Sequence, residues 1–145
     1  MIDNILIPVL ERDDVVVRDD LIEEGLRLEK YLPFKLLDWE IFLFAVIAGI
    51  RYRDGDIYFN KIWILVGRGS GKNGFIDFLC LYFLSPYHGV REYNIDLLAN
   101  SENQVKTSFM DVYDFIKNPV KEEYKRVLKQ NYRVTLDVIR NFTHS

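Results

Sequence analysis

Apolar positions fall along this chain in blocks of unlike period, and each period names an element. Residues 1–18 mix a short apolar run with alternating charge and are expected to form a loosely packed lead-in. From Asp20 to Tyr31, Leu21, Ile22, Leu26 and Leu28 mark an amphipathic helix that Gly25 weakens and Pro33 ends. A second helix runs from about Lys35 to Ile50. It is apolar on most faces, so it is expected to lie against other elements rather than water. Asp54-Gly55, between short β-prone stretches, predicts a turn.

"KIWILV", Lys61 to Val66, is short, continuously apolar and rich in β-branched residues. That is the pattern of a strand covered on both faces. Phe75 to Leu84 carries one charge, Asp77, and predicts another buried helix, stopped at Ser85-Pro86. A second apolar run, Ile95 to Ala99, leads into "NSENQ", where Ser101 and Gln104 have the spacing of a capping box. Val105, Phe109, Val112 and Ile116 then form one helical stripe, broken at Pro119. Val120 to Gln130 predicts a charged helix, and "YRVTLDVI" from Tyr132 alternates with the period of a half-exposed strand. Strands alternating with helices predict an α/β fold with a parallel sheet and flanking helices.

Composition narrows the picture. The chain has 145 residues, one domain's worth, and at 49% apolar it can bury about two-thirds of its unfolded surface. A net charge of −3 argues against wrapping nucleic acid over the whole surface, while leaving room for a local basic groove. The lone Cys80 lies in an apolar run, so it is expected as a buried hydrophobe in a reducing compartment. The N-terminus has acids early and no cationic segment, so no signal peptide is expected. The most apolar stretch, Ile41 to Ile50, is half the roughly twenty residues a bilayer span requires. His88 and His144 have no partner at ligand spacing and are expected on the solvated surface.

The chemistry concentrates at "GRGSGKNGF", Gly67 to Phe75. Gly67, Gly69 and Gly71 let backbone amides approach an anion closely, with Ser70 between them. Lys72 follows and can bridge outer phosphate oxygens, and a helix start is aimed at the same point. A strand before and a helix after are the context such a phosphate loop requires. Val66 stands where the usual motif has glycine or alanine, and Asn73 replaces the hydroxyl that normally holds Mg²⁺. A carboxamide oxygen can still ligate a hard cation or its water shell.

This loop, preceded by "LLDWE" and an Asp-Gly turn and followed by "IDLLANSENQVKTSF", resembles the large subunit of tailed-bacteriophage terminase, the motor that packages viral DNA. The resemblance covers roughly residues 30–145. It implies residues 1–34 as a lead-in with a short helix, and 35–145 as the N-terminal part of a P-loop ATPase domain. It further implies ATP and Mg²⁺ as cofactors. Lys72 would contact the β- and γ-phosphates, Arg68 would stabilise the γ-phosphate, and Trp39 and Glu40 would lie near the adenine. Double-stranded DNA, a small subunit and a portal protein would be its partners, in the host-cell cytoplasm. "VTLDV" around Asp137 has no second acid and does not make a Walker B strand, and the sequence ends at Ser145. The chain is therefore expected to bind nucleotide without hydrolysing it alone. The alternatives are a non-catalytic prophage remnant or assembly piece that pairs with itself or a partner, and part of a superfamily-2 helicase-like ATPase.

Overall fold

The computed structural model describes residues 3–90, 93–119 and 121–123, together with short strands at 132–134 and 139–141. The lead-in is more ordered than its sequence suggests. Helix α1, Asp3–Leu10, leaves Ile5, Ile7 and Leu10 exposed, and strand β1, Val15–Val17, follows it. β1 pairs antiparallel with β2, Ile50–Tyr52, with Val16 opposite Arg51. The partner lies beyond two intervening helices, so no local pattern could announce the pairing.

Between those strands, α2 covers Asp19–Leu26 and tightens into a 3-10 turn over Arg27–Tyr31. Helix α3 covers Asp38–Gly49. After β2 the Asp54-Gly55 turn forms as expected, with Gly55 at φ 101° and its amide donating to the Tyr52 carbonyl at 2.9 Å. Helix α4 runs Lys72–Phe83, and a 3-10 turn at Pro86–His88 stops it. Helix α5 runs Glu102–Lys117. The last described elements are β3, Tyr132–Val134, and β4, Ile139–Asn141, paired antiparallel with each other. Most of the charged helix expected over 120–130, together with Asp137 and His144, lies outside the described residues.

The core sits where α3 crosses α4. Phe44 of α3 is fully buried and meets Phe78 and Tyr82 edge-on, at centroid distances of 5.0 and 4.8 Å. Gly25 of α2 lets that helix close on the same ring, since a Cβ there would stand 2.3 Å from Phe44. Val112 and Ile116, from the α5 stripe that packs on α4, complete the cluster. Burying such rings contributes about 1.5–3 kcal/mol each.

The two expected central strands differ from expectation. Residues 61–66 and 95–99 carry no ladder hydrogen bonds, and the sheets among the described residues are two antiparallel pairs. Nor is 61–66 covered on both faces as its continuous apolar run predicts, since burial in both segments alternates. Ile64, Ile95 and Leu97 pack on the core, whereas Trp63, Leu65 and Leu98 are 92%, 95% and 94% exposed. A ladder needs a neighbour's amides and carbonyls, and neither segment has one among the described residues.

Candidate functional site

The loop of residues 67–71 is held by one internal bond, the Ser70 hydroxyl donating to the Gly67 carbonyl at 2.8 Å. Gly69 and Gly71 adopt left-handed φ of 75° and 89°, which costs glycine nothing and strains any other residue. Gly71 is the residue before α4, and its carbonyl accepts the Phe75 amide at 3.1 Å. No side chain caps α4. The amides of Lys72, Asn73 and Gly74 therefore have no helical acceptor, and the positive end of a 12-residue helix is left open.

That open end faces a cavity of about 690 Å³. Residues 67–74 form one wall, Ile76 and 97–99 a second, and Gln104, Thr107 and Ser108 of α5 a third. Arg68 and Lys72 are exposed at its edge and make no ion pair among the described residues. The carboxyl ends of both strand-like segments, at Gly67 and Ala99, thus meet at one cavity.

Trp39 and Glu40 do not line that cavity. Glu40 is buried, and its Oε2 accepts the Leu37 amide at 2.7 Å, capping α3. Leucine offers no acceptor in return, so only half of a capping box exists. Glu40 Oε1 lies against the loop, 2.8 Å from where a Cβ on Gly71 would be. Trp39 packs edge-on against Phe75 at 5.4 Å. The two residues support the loop from behind.

Gly71→Ala is accordingly expected to lower the melting temperature by several degrees, through the left-handed φ and the collision with Glu40. Gly67→Ala, whose Cβ would meet nothing within 4 Å, is expected to melt close to the unmodified protein. Thermal melts followed by circular dichroism compare the two.

Asn73 borders both the main cavity and a second one of about 460 Å³, which reaches Glu40, Asp77 and Asp111. Asp77 lies one helical turn beyond Asn73 and is only 2% exposed, with Oδ1 lacking any hydrogen-bond partner. Burial first, and the neighbouring Asp111 second, push its carboxyl up to about 7. The pattern of the sequence did not assign it a role. A single acid inside an otherwise apolar helix was the available signal. Among the described residues no three His, Cys, Asp or Glu side chains gather as a metal site. The donors bordering the main cavity that suit a hard cation are Asn73 and the hydroxyls of Ser70, Thr107 and Ser108.

Three other expectations change. Ser101 precedes α5 as foreseen but makes no side-chain cap, and Gln104 lines the cavity. His88 is not on the surface. It is 4% exposed, with both ring nitrogens unpartnered, because the 3-10 turn after α4 folds it onto Tyr82, Phe83 and Tyr93. Leu97 and Leu98, read only as strand residues, form a cavity wall. Cys80 is buried as expected, and burial raises its thiol to about 12, which leaves it unreactive.

No protein-family model, curated protein or solved structure matches this chain. Among the described residues no helix is long and apolar enough to cross a membrane.

Proposed function

We propose that residues 67–73 bind the polyphosphate of ATP with Mg²⁺, as the nucleotide-binding part of a DNA-packaging ATPase of the terminase kind. The observation that carries this reading is the uncapped start of α4, flanked by Arg68 and Lys72 and open to a cavity of about 690 Å³. A volume of that size suits a nucleotide. Helix dipole, free amides and two cations that make no ion pair among the described residues all favour a multiply charged anion at the same point.

Lys72 bridges the outer phosphate oxygens, and Arg68 stabilises charge on the terminal phosphoryl group. Asn73 holds the cation or its water shell, and the metal, when bound, neutralises phosphate charge. The reading is of binding rather than turnover by this chain alone. No acidic side chain among the described residues lines the main cavity to orient a water. Within this reading the fold is the P-loop α/β type. The partners are double-stranded DNA, a small subunit and a portal protein, in the host-cell cytoplasm.

Calorimetric titration with ATP and Mg²⁺ tests the proposal. Lys72→Ala removes a charged contact of about 1.5–3 kcal/mol, so its affinity is expected to fall roughly 10- to 150-fold. Equal binding by the variant and the unmodified chain removes the phosphate-loop reading.

A second reading, an assembly piece that pairs with another copy, is favoured by the bare apolar side chains of Trp63, Leu65 and Leu98. Sizing chromatography over a concentration series decides it. Association that is lost in Trp63→Glu supports it, and a monomer at every concentration removes it.

A further inference from the structure

Outside both cavities of the loop, β2 carries a cation into the interior. Arg51 is 4% exposed; its Nε donates to the Ala48 carbonyl at 2.8 Å and its Nη1 to the Gly55 carbonyl at 3.3 Å. Its Nη2 is buried with no partner, and no carboxylate pairs with it among the described residues. An unpaired charge held out of water costs several kcal/mol, so a buried guanidinium ordinarily has an anion beside it.

Two more buried polar groups share its surroundings. Tyr82 is fully buried, and its hydroxyl has no hydrogen-bond partner. His88 lies 5.6 Å from the Tyr82 ring, with neither nitrogen partnered. The charge on Arg51 reaches both side chains. Its guanidinium approaches the Tyr82 hydroxyl closely enough to act on it as a donor, short of good hydrogen-bond geometry and leaving the hydroxyl's own proton free to donate. Two acids also reach Tyr82 from α2, but Asp20 is held by Arg18 at 2.5 Å and neither Asp20 nor Glu24 pairs with Arg51. Three different side chains thus leave four polar atoms unused in one part of the core. Guanidinium, phenol and neutral imidazole each have an N–H or O–H to donate. Water would satisfy the donors and leave the charge uncompensated. An anion satisfies both.

We propose that Arg51, Tyr82 and His88 form a buried site for a small monovalent anion, of which chloride is the simplest. The site ties β2 to the end of α4 and the turn after it, so its occupancy stabilises the fold. It is independent of the nucleotide reading, because none of its three residues lines either cavity of the phosphate loop.

The test is the melting temperature of the full chain in sodium chloride against sodium gluconate at equal ionic strength, gluconate being too large for a buried site. A site filled to ten times its Kd shifts the folding equilibrium about tenfold, a rise on the order of 5 °C in chloride. Chloride NMR line broadening in the presence of the protein gives a second, direct readout.

Tyr82→Phe keeps the ring and removes one donor, and it is expected to shrink both signals. Arg51→Met is expected to abolish them wherever it folds. Identical melting in the two salts with no line broadening overturns the proposal. So does a chloride effect that survives unchanged in Tyr82→Phe and in Arg51→Met.

Discussion

Phe44→Ala is expected to destabilise the fold by about 3–5 kcal/mol, the range for deleting a fully buried ring. No part of Phe44 is exposed, and its edge-on contacts to Phe78 and Tyr82 hold α3 against α4. The same ring is what Gly25 of α2 packs against, so its loss leaves a cavity bordered by three helices. Against the 5–15 kcal/mol of a typical domain, that is a large share of the total. Urea denaturation checks it as a lower midpoint at unchanged slope. Phe44→Leu keeps much of the volume and is expected to cost less than half as much. Equal costs for Ala and Leu would mean that the ring does not fill the space between the helices.

The second large effect is a pH dependence hidden by cancellation. Burial, followed by Asp111, raises the Asp77 carboxyl from 3.8 to about 7. Between those values the folded protein holds a proton that the unfolded chain has lost, so this group's contribution to stability falls as pH rises. Burial, followed by Arg51, lowers the His88 imidazole from 6.5 to about 4. Between those values the unfolded chain holds a proton that the folded protein lacks, so this contribution falls as pH drops.

Each slope approaches about 1.4 kcal/mol per pH unit. From about pH 4 to 6.5 the two oppose, and the unmodified protein is expected to have nearly flat stability. His88→Phe leaves the Asp77 slope alone, so stability is expected to fall by up to about 3 kcal/mol across that window. Asp77→Asn leaves the His88 slope alone, and stability is expected to rise by a similar amount. Any constant cost of either substitution shifts its curve without tilting it. Urea midpoints in low-chloride buffer at intervals of pH measure the three slopes. Three parallel curves would refute the buried titrations.

Much of this molecule is legible from local pattern. The apolar stripe over Val112 and Ile116, the run over Ile41 to Ile50 and the Asp54-Gly55 turn all form as their residues predict. So does the glycine loop, because left-handed φ at Gly69 and Gly71 and a helix beginning at Lys72 are decided within a few residues. The burial of the two apolar runs was not legible: Lys61 to Val66 reads as covered on both faces, whereas Trp63 and Leu65 are exposed and Ile64 alone of the three packs on the core.

What was not legible depends on distant partners. β1 reads as lead-in until β2 arrives from the other side of α3. The segments 61–66 and 95–99 have strand composition, but a ladder is a property of two chains of atoms rather than one. Glu40 and Gln104 exchanged expected roles for the same reason. One was drawn into capping α3 behind the loop, the other left lining the cavity.

The sequence by itself determined helices α2 to α5, the turn and the glycine-lysine loop, since periodicity and backbone dihedrals are energies of near neighbours. Only the tertiary structure decided that Asp77, Arg51 and His88 would be buried, and hence how they titrate and what they can bind. Desolvation depends on every atom that surrounds a group, and those atoms come from helices and strands far away along the chain.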